Sequence, residues 1–316
     1  VRFSLTDHCD MACIYCMPEQ GEREHGLRPE LLTEEEIVRL VRVMKPLGVR
    51  RVRLTGGEPL LRKALPDLIR GLRALDLDDI FLTTNASRLE TLAHPLHEAG
   101  LRGANISIDS LDPQRFAQIT RGASLDTVMR GIDKALEAGL LVKTNTVVLR
   151  GQNEDELEAI IHWAHARNIT PRFIELMPLG EGATLPSQTF VPHAEMQRTL
   201  AHVLTPGNGQ AREGAGPARY WSSQRDSAKK VGFITSVSED FCGTCNRFRL
   251  TAVGEIRACL ASRRALSLRD LMRQGADDRT LAWALHWSLL GKADGHAFSD
   301  PTEGEHTQVG MSLIGG

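Results

Sequence analysis

The sequence predicts an α/β fold of parallel strands, on three observations. Runs with the period-two alternation of a strand recur through residues 1–177, separated by stretches with helical periodicity. Each separation holds about one helix, which implies right-handed crossovers between parallel neighbours. One strand face is polar and charged, where a complete eight-stranded barrel fills its interior with branched apolar side chains.

The first strand is Val1-Arg2-Phe3-Ser4-Leu5. Glu19 to Leu32 is polar and turn-rich and reads as a loop. Thr33 then caps a helix with Glu34, Glu35 and Glu36 in its first turn, where the helix dipole favours negative charge. Ile37, Leu40, Val41 and Met44 make its apolar stripe, and Gly48 ends it. Strands follow at 51–55, 79–84, 104–109, 141–149 and 171–177, with helices near 63–74, 88–99, 124–138 and 154–167. Next come a helix at 193–204, a Gly- and Pro-rich stretch at 205–218 and short strands around 219–222 and 231–238. Helices near 267–274 and 277–290 complete the pattern. The Gly/Pro stretch reads as a boundary, so the expected domains are 1–218 and 219–316.

Alternation puts Arg51 and Arg53, Asn105, Ser107 and Asp109, Lys143 and Asn145, and Glu175 and Met177 on one face. Burying Arg53 and Lys143 without anions is costly, so this face holds a polar ligand or lies in solvent.

The length of 316 residues allows one large α/β domain and a smaller one, and 41% hydrophobic with 25% charged residues is ordinary for a globular chain. A net charge of −2, with both signs intermixed, gives no global field toward nucleic acid or a membrane surface. No apolar run reaches the length of a spanning helix, and nothing at the start resembles a signal peptide. Val1 opens inside a strand without an initiator Met, so further residues are expected upstream. All six cysteines fall into two triplets, 9/13/16 and 242/245/259. A secreted disulfide framework would spread them, so a reducing cytoplasm is expected.

Cys9, Cys13 and Cys16 form Cys-x3-Cys-x2-Cys directly after the first strand. Three thiolates this close converge by wrapping a metal centre, either an iron–sulfur cluster or a zinc ion. Three ligands leave a position open, and in a cubane the fourth iron is then free for a small molecule. Gly56-Gly57-Glu58-Pro59 ends the second strand, where paired glycines let a ligand approach and leave peptide groups free to bond it. Cys242, Cys245 and Cys259 give Cys-x2-Cys-x13-Cys. That spacing suits a zinc knuckle, with His286 or His296 as fourth ligand, as well as it suits an iron–sulfur cluster. Arg247 and Arg249 alternate with Phe248 and Leu250, so two guanidiniums share a strand face. Beside a metal centre they suit an oligophosphate; the alternative is a solvated basic edge. His94/His97 and His162/His165 have helical spacing but no third ligand, and read as surface residues.

The first triplet, Tyr15 before its last Cys, and Gly-Gly-Glu-Pro after the second strand together resemble the radical S-adenosylmethionine superfamily. Adding Gly-Pro-Ala-Arg-Tyr-Trp at 216–221, Cys-Gly-Thr-Cys-Asn-Arg-Phe-Arg-Leu-Thr at 242–251, Gly-His-Ala-Phe at 295–298 and the closing Gly-Gly, nearly the whole chain is similar to the GTP 3′,8-cyclase family of molybdenum cofactor biosynthesis. The resemblance implies an incomplete (β/α)6 TIM-type barrel, the radical SAM fold, with a C-terminal iron–sulfur cluster domain closing its open side. It implies two [4Fe–4S] clusters, held by Cys9, Cys13 and Cys16 and by Cys242, Cys245 and Cys259. It places S-adenosylmethionine at Tyr15, Gly57, Ser107 and Met177, and GTP at Arg2, Arg53, Thr84, Lys143, Arg247 and Arg249. Catalytic roles fall to Arg247, Arg249 and the inserted tail Gly315-Gly316. An external electron donor, a downstream cyclic pyranopterin monophosphate synthase, and a monomer or homodimer are implied as well.

His8, Asp10 and Ala12 stand where the family usually has Arg, Asn and Arg, and Asn85-Ala86-Ser87 replaces an Asn-Gly turn. The ligand cysteines are intact, so altered loop packing is the expected consequence. Two rival readings are a radical S-adenosylmethionine peptide-modifying enzyme with an auxiliary cluster, and a non-catalytic zinc-binding regulator.

Overall fold

A computed structural model describes residues 1–19, 30–207, 216–239, 241–260, 262, 265–290, 292, 295 and 310–314 of the chain. The capping signals act where the sequence puts them. Thr33 Oγ1 accepts from the Glu36 N–H at 3.2 Å and Glu36 Oε2 accepts from the Thr33 N–H at 2.9 Å. This capping box starts α1 (Glu34–Met44), which follows β1 (Arg2–Ser4). The alternation then runs β2 (Arg51–Thr55), α2 (Leu65–Arg73), β3 (Asp79–Thr84), α3 (Leu89–Ala99) and β4 (Gly103–Ser107). Next is α4 (Pro113–Thr120), a helix the periodicity did not reveal; Asp112 caps it and Pro113 fills its first position. Then come α5 (Leu125–Glu137), β5 (Leu141–Val148), α6 (Leu157–Ala166) and β6 (Thr170–Glu175).

The expected helix at 193–204 is α7 (His193–Leu200) followed by a two-residue strand, β7 (Leu204–Thr205). β8 (Arg219–Ser223) and β9 (Lys230–Ile234) are next. Three short strands, β10 (Arg249–Leu250), β11 (Glu255–Arg257) and β12 (Leu266–Ser267), precede α8 (Leu268–Arg273), α9 (Asp278–Leu290) and α10 (Met311–Ile314).

Among the described residues all twelve strands join one sheet, ordered β12-β11-β10-β1-β2-β3-β4-β5-β6-β9-β8-β7. β1 to β6 are consecutive parallel neighbours, the incomplete (β/α)6 barrel expected. Its two open edges are extended by later chain: β9 pairs parallel with β6, and β10 pairs parallel with β1. The segment between β9 and β10 must therefore cross the barrel's open side, and it carries Cys242, Cys245 and Arg247.

The outer strand face and the helices share a core that includes Phe3, Leu54, Leu82, Ile106, Ile132 and Leu40. The inner face is polar. Register corrects two inner-face expectations. Asn145 stands opposite Arg172, so β6 turns Arg172 inward, while Glu175, odd in number, turns away. Arg51 lies at the exposed start of β2 and pairs with Asp79 at 3.2 Å. His165 is buried rather than a surface residue: it completes the apolar stripe of α6, and its Nε2 lies 3.2 Å from the Lys230 carbonyl.

Candidate functional site

The first cysteine loop is locked by backbone. The Gly57 N–H donates to the Thr6 carbonyl and the Glu58 N–H to the His8 carbonyl, both at 2.7 Å. A Cβ on Gly57 would overlap the His8 carbonyl oxygen, and one on Gly56, at φ +147°, would overlap that of Thr6. The glycine pair thus lets the cysteine loop lie directly on it, and its N–H at Gly57 is engaged there rather than free, as had been expected, for a ligand. Arg121 closes the loop from another side, donating to the carbonyls of Ala12 at 3.1 Å and Met17 at 2.6 Å. Cys16 and Met17 donate backbone N–H groups to the Cys13 carbonyl, tightening the turn that carries the last ligand.

Buried carboxylates frame this loop. Glu58 accepts from the Leu60 N–H at 3.0 Å, the Thr84 hydroxyl at 2.7 Å and the Asn85 N–H at 2.7 Å. Burial still pushes it up to about 7, against those hydrogen bonds. Asp109 accepts from Tyr15 Oη at 2.7 Å and the Val147 N–H at 2.9 Å, and burial pushes it up to about 6. The Cys9 thiol is pushed up to about 12, first by burial and then by Glu58 and Asp10; Cys13 is raised by burial and by Asp109. A thiolate here needs a cationic centre to hold it, as a metal cluster does. The residues fit that group.

The family departures meet one another. Asp10 accepts from Asn85 Nδ2 and from Ser87 Oγ, each at 2.7 Å, while Ala86 takes the left-handed conformation, φ +65°, that a glycine would otherwise supply. Thr84, expected at the nucleotide, has its hydroxyl donating to Glu58 and accepting from the Ala86 N–H at 3.0 Å. It belongs to the frame of the first loop, and the inward threonine of β3 is Thr83, in register with Asn105.

Across the inner face runs a row of cations. Arg2 stands opposite Arg249 on one side and Arg53 on the other. Arg53 lies over the Phe81 ring at 5.8 Å, and Arg247 over Phe241 at 4.8 Å. Burial, then Arg249, Arg53, Arg247 and Arg172, pull Arg2 well below the usual arginine range. Arg53 falls to about 9 and Arg249 to about 10, again chiefly by burial. Guanidiniums do not lose their proton in proteins, so these directions express unneutralised positive charge. Among the described residues none of Arg2, Arg53, Arg172, Arg247, Arg249 or Lys143 has a carboxylate partner. Asn105 Nδ2, Asn145 Oδ1, Arg172 Nε and Ser4 Oγ are also buried there without hydrogen-bond partners. Such an interior is built for a polar, anionic guest.

One cavity joins this row to the second triplet: Cys242, Cys245 and Cys259 line it with Arg2, Arg247 and Arg249, and Met177 forms another wall. Met177 sits past the end of β6, its carbonyl accepting from the Leu179 N–H at 2.8 Å. Arg249 Nη1 donates to the Ile314 carbonyl at 3.3 Å, so the turn α10 ends against the arginine row. Gly315 and Gly316 lie outside the described residues, as does His296. Ser107 and Lys143 stand on the inner face, and Lys143 lies 5.6 Å over the Tyr220 ring.

Sequence reasoning missed Arg172, Tyr220 and Lys292. Arg172 donates to Asn105 Oδ1 at 2.6 Å beside Tyr220, and Gly232 leaves the space in which both lie. Its signal was parity within β6, hidden because alternation was counted from Glu175. Lys292 contacts the Cys245 loop and, as an isolated lysine, carries no sequence signal.

A partial barrel with a thiolate triplet at its strand ends defines a class of cluster-dependent enzymes, and comparison agrees. Residues 3–164 match the Radical SAM superfamily, and residues 169–298 match Molybdenum Cofactor Synthesis C. The chain is 44% identical to a GTP 3′,8-cyclase of Pelotomaculum thermopropionicum, covering 100% of this chain and 97% of that protein. It is 41% identical to the GTP 3′,8-cyclase of Hydrogenovibrio crunogenus, over 100% and 96%. Among solved structures, Streptococcus suis SuiB bound to precursor peptide SuiA aligns with TM-score 0.66 at 15% identity, over 99% of this chain and 75% of that one, a likeness of fold. The chain belongs to the GTP 3′,8-cyclase family of the radical SAM superfamily.

Proposed function

We propose that this chain converts GTP to (8S)-3′,8-cyclo-7,8-dihydroguanosine 5′-triphosphate, the first step of molybdenum cofactor biosynthesis. The carrying observation is the one cavity that brings Cys242, Cys245 and Cys259 together with Arg2, Arg247 and Arg249. Cys9, Cys13 and Cys16 would hold a [4Fe–4S] cluster with S-adenosylmethionine beside Tyr15, Gly57, Ser107 and Met177. When bound, that pair would supply one-electron radical chemistry able to remove the ribose 3′ hydrogen. The reaction closes a bond within one substrate molecule, so holding C3′ against C8 provides much of the rate. Arg2, Arg53, Arg172, Arg247, Arg249 and Lys143 would grip the triphosphate, whose charge they lack partners for.

Cys242, Cys245 and Cys259 would hold a second [4Fe–4S] cluster that receives the guanine base. These three thiols line the same cavity as Arg2, Arg247 and Arg249, which supports a cluster placed against the substrate. The division of roles follows the barrel, 1–218, and the C-terminal part, 219–316. No helix among the described residues is long and apolar enough to cross a membrane. We place the enzyme in the cytoplasm, with an external electron donor and a downstream cyclic pyranopterin monophosphate synthase.

The test is anaerobic turnover of GTP deuterated at ribose C3′ with S-adenosylmethionine and dithionite. Deuterium in 5′-deoxyadenosine is expected. Unlabelled 5′-deoxyadenosine formed at a rate indifferent to GTP would remove the substrate assignment.

A further inference from the structure

Lys292 follows α9 and reaches back to the loop of the second triplet. Its Nζ lies 2.6 Å from the Cys245 carbonyl, 2.9 Å from the Arg247 carbonyl and 3.4 Å from Cys245 Sγ. An ammonium has three donors, and all three of these contacts are on one loop. Among the described residues no carboxylate meets Lys292, so two carbonyl dipoles and the Cys245 sulfur are its only compensation there.

We propose that Lys292 is a positioning residue that sets the redox poise of the second metal centre, through a charged hydrogen bond to the Cys245 sulfur, while its carbonyl contacts fix the approach of Cys245 and Arg247. This rests on the reading of the second triplet as an iron–sulfur site. A donor on a ligand sulfur and a nearby positive charge both favour the reduced, more negative state of a cluster, which raises its potential. The same ammonium holds the carbonyl of Arg247, which lines the cavity. Cluster potential and placement of the arginine therefore depend on one side chain.

The test uses the full chain reconstituted anaerobically, in the natural sequence and with Cys9, Cys13 and Cys16 all changed to Ala so that only the second site is read. Iron content and a redox titration followed by electron paramagnetic resonance are measured for Lys292→Met, Lys292→Gln and Lys292→Arg. Met and Gln remove the charge and should move the second midpoint to more negative potential by a tenfold change in equilibrium or more, ~59 mV for a one-electron couple. Arg should recover most of the shift, which a purely structural role would not require. If Met fails to load iron, Gln and Arg decide the result. Midpoints unmoved at full iron content overturn the role of Lys292. Absence of any cluster when the first triplet is removed overturns the iron–sulfur reading beneath it, and the two failures are told apart by the iron count.

Discussion

The two cysteine triplets present the same donors in opposite electrical surroundings. Around Cys9 and Cys13 the neighbours are carboxylates, Glu58, Asp10 and Asp109, and burial with those charges raises the thiols. Around Cys245 the neighbours are Arg247 and Lys292, and the thiol is lowered despite burial. Their mechanical support differs in the same way. The first loop lies on the glycine pair and is tied by peptide hydrogen bonds. The second is held by the ammonium of Lys292, just past α9, which donates to the Cys245 and Arg247 carbonyls. The contrast supports the proposed placement of guests: a positively charged sulfonium cofactor suits the acidic site, and an anionic nucleotide suits the basic one.

The largest effect should come from disturbing the first loop's support. Gly57→Ala drives a Cβ into the His8 carbonyl, a backbone atom with no room to yield, at a cost of about 3 kcal/mol. Iron analysis and 5′-deoxyadenosine formation should show the first site lost and activity with it, while the second site keeps its iron. Full loading of both sites would refute the backbone lock. Next in size is the basic site. Arg249→Ala or Arg2→Ala removes charged hydrogen bonds to substrate, each worth about 1.5–3 kcal/mol, so kcat/KM for GTP should fall roughly 10- to 100-fold. Cleavage of S-adenosylmethionine in the absence of GTP should be unchanged; a parallel loss there would mean that the two sites are not separable.

The smallest effect is a pH dependence in the metal-free protein. Glu58 in the folded chain titrates at about 7, above its ordinary value of 4.5, so the folded state keeps a proton that the unfolded state has released. Stability should decline as pH rises through this window, by about 1 kcal/mol or more, and Glu58→Gln should flatten the decline. Urea midpoints at pH 5 and pH 8 measure it; a variant as pH-sensitive as the natural chain would show that Glu58 is not the source.

Much of this was legible in the sequence because the signals are local. The Thr33–Glu36 capping box and the alternation in β2, β3 and β5 need only a few neighbouring residues to specify themselves. The cysteine triplets are equally local, as ligand spacing is a property of the loop. What escaped depends on register between distant strands. The resemblance placed Arg2, Arg53 and Arg249 at the nucleotide, but that they form one row follows only from the pairing of β10 to β1. Arg172 needed the β5–β6 register, and β10 to β12 are too short to show periodicity. The glycine pair was located correctly but given a different duty, since only the packed structure shows the cysteine loop occupying its Gly57 N–H.

The most direct test of the contrast between the sites is spectroscopic. Two variants are prepared anaerobically, one lacking Cys9, Cys13 and Cys16 and the other lacking Cys242, Cys245 and Cys259. Each is reduced and titrated with GTP and with S-adenosylmethionine while its electron paramagnetic resonance spectrum is followed. The account predicts that GTP alters only the cluster held by Cys242, Cys245 and Cys259, and S-adenosylmethionine only the one held by Cys9, Cys13 and Cys16. GTP altering the first cluster and leaving the second untouched would contradict it.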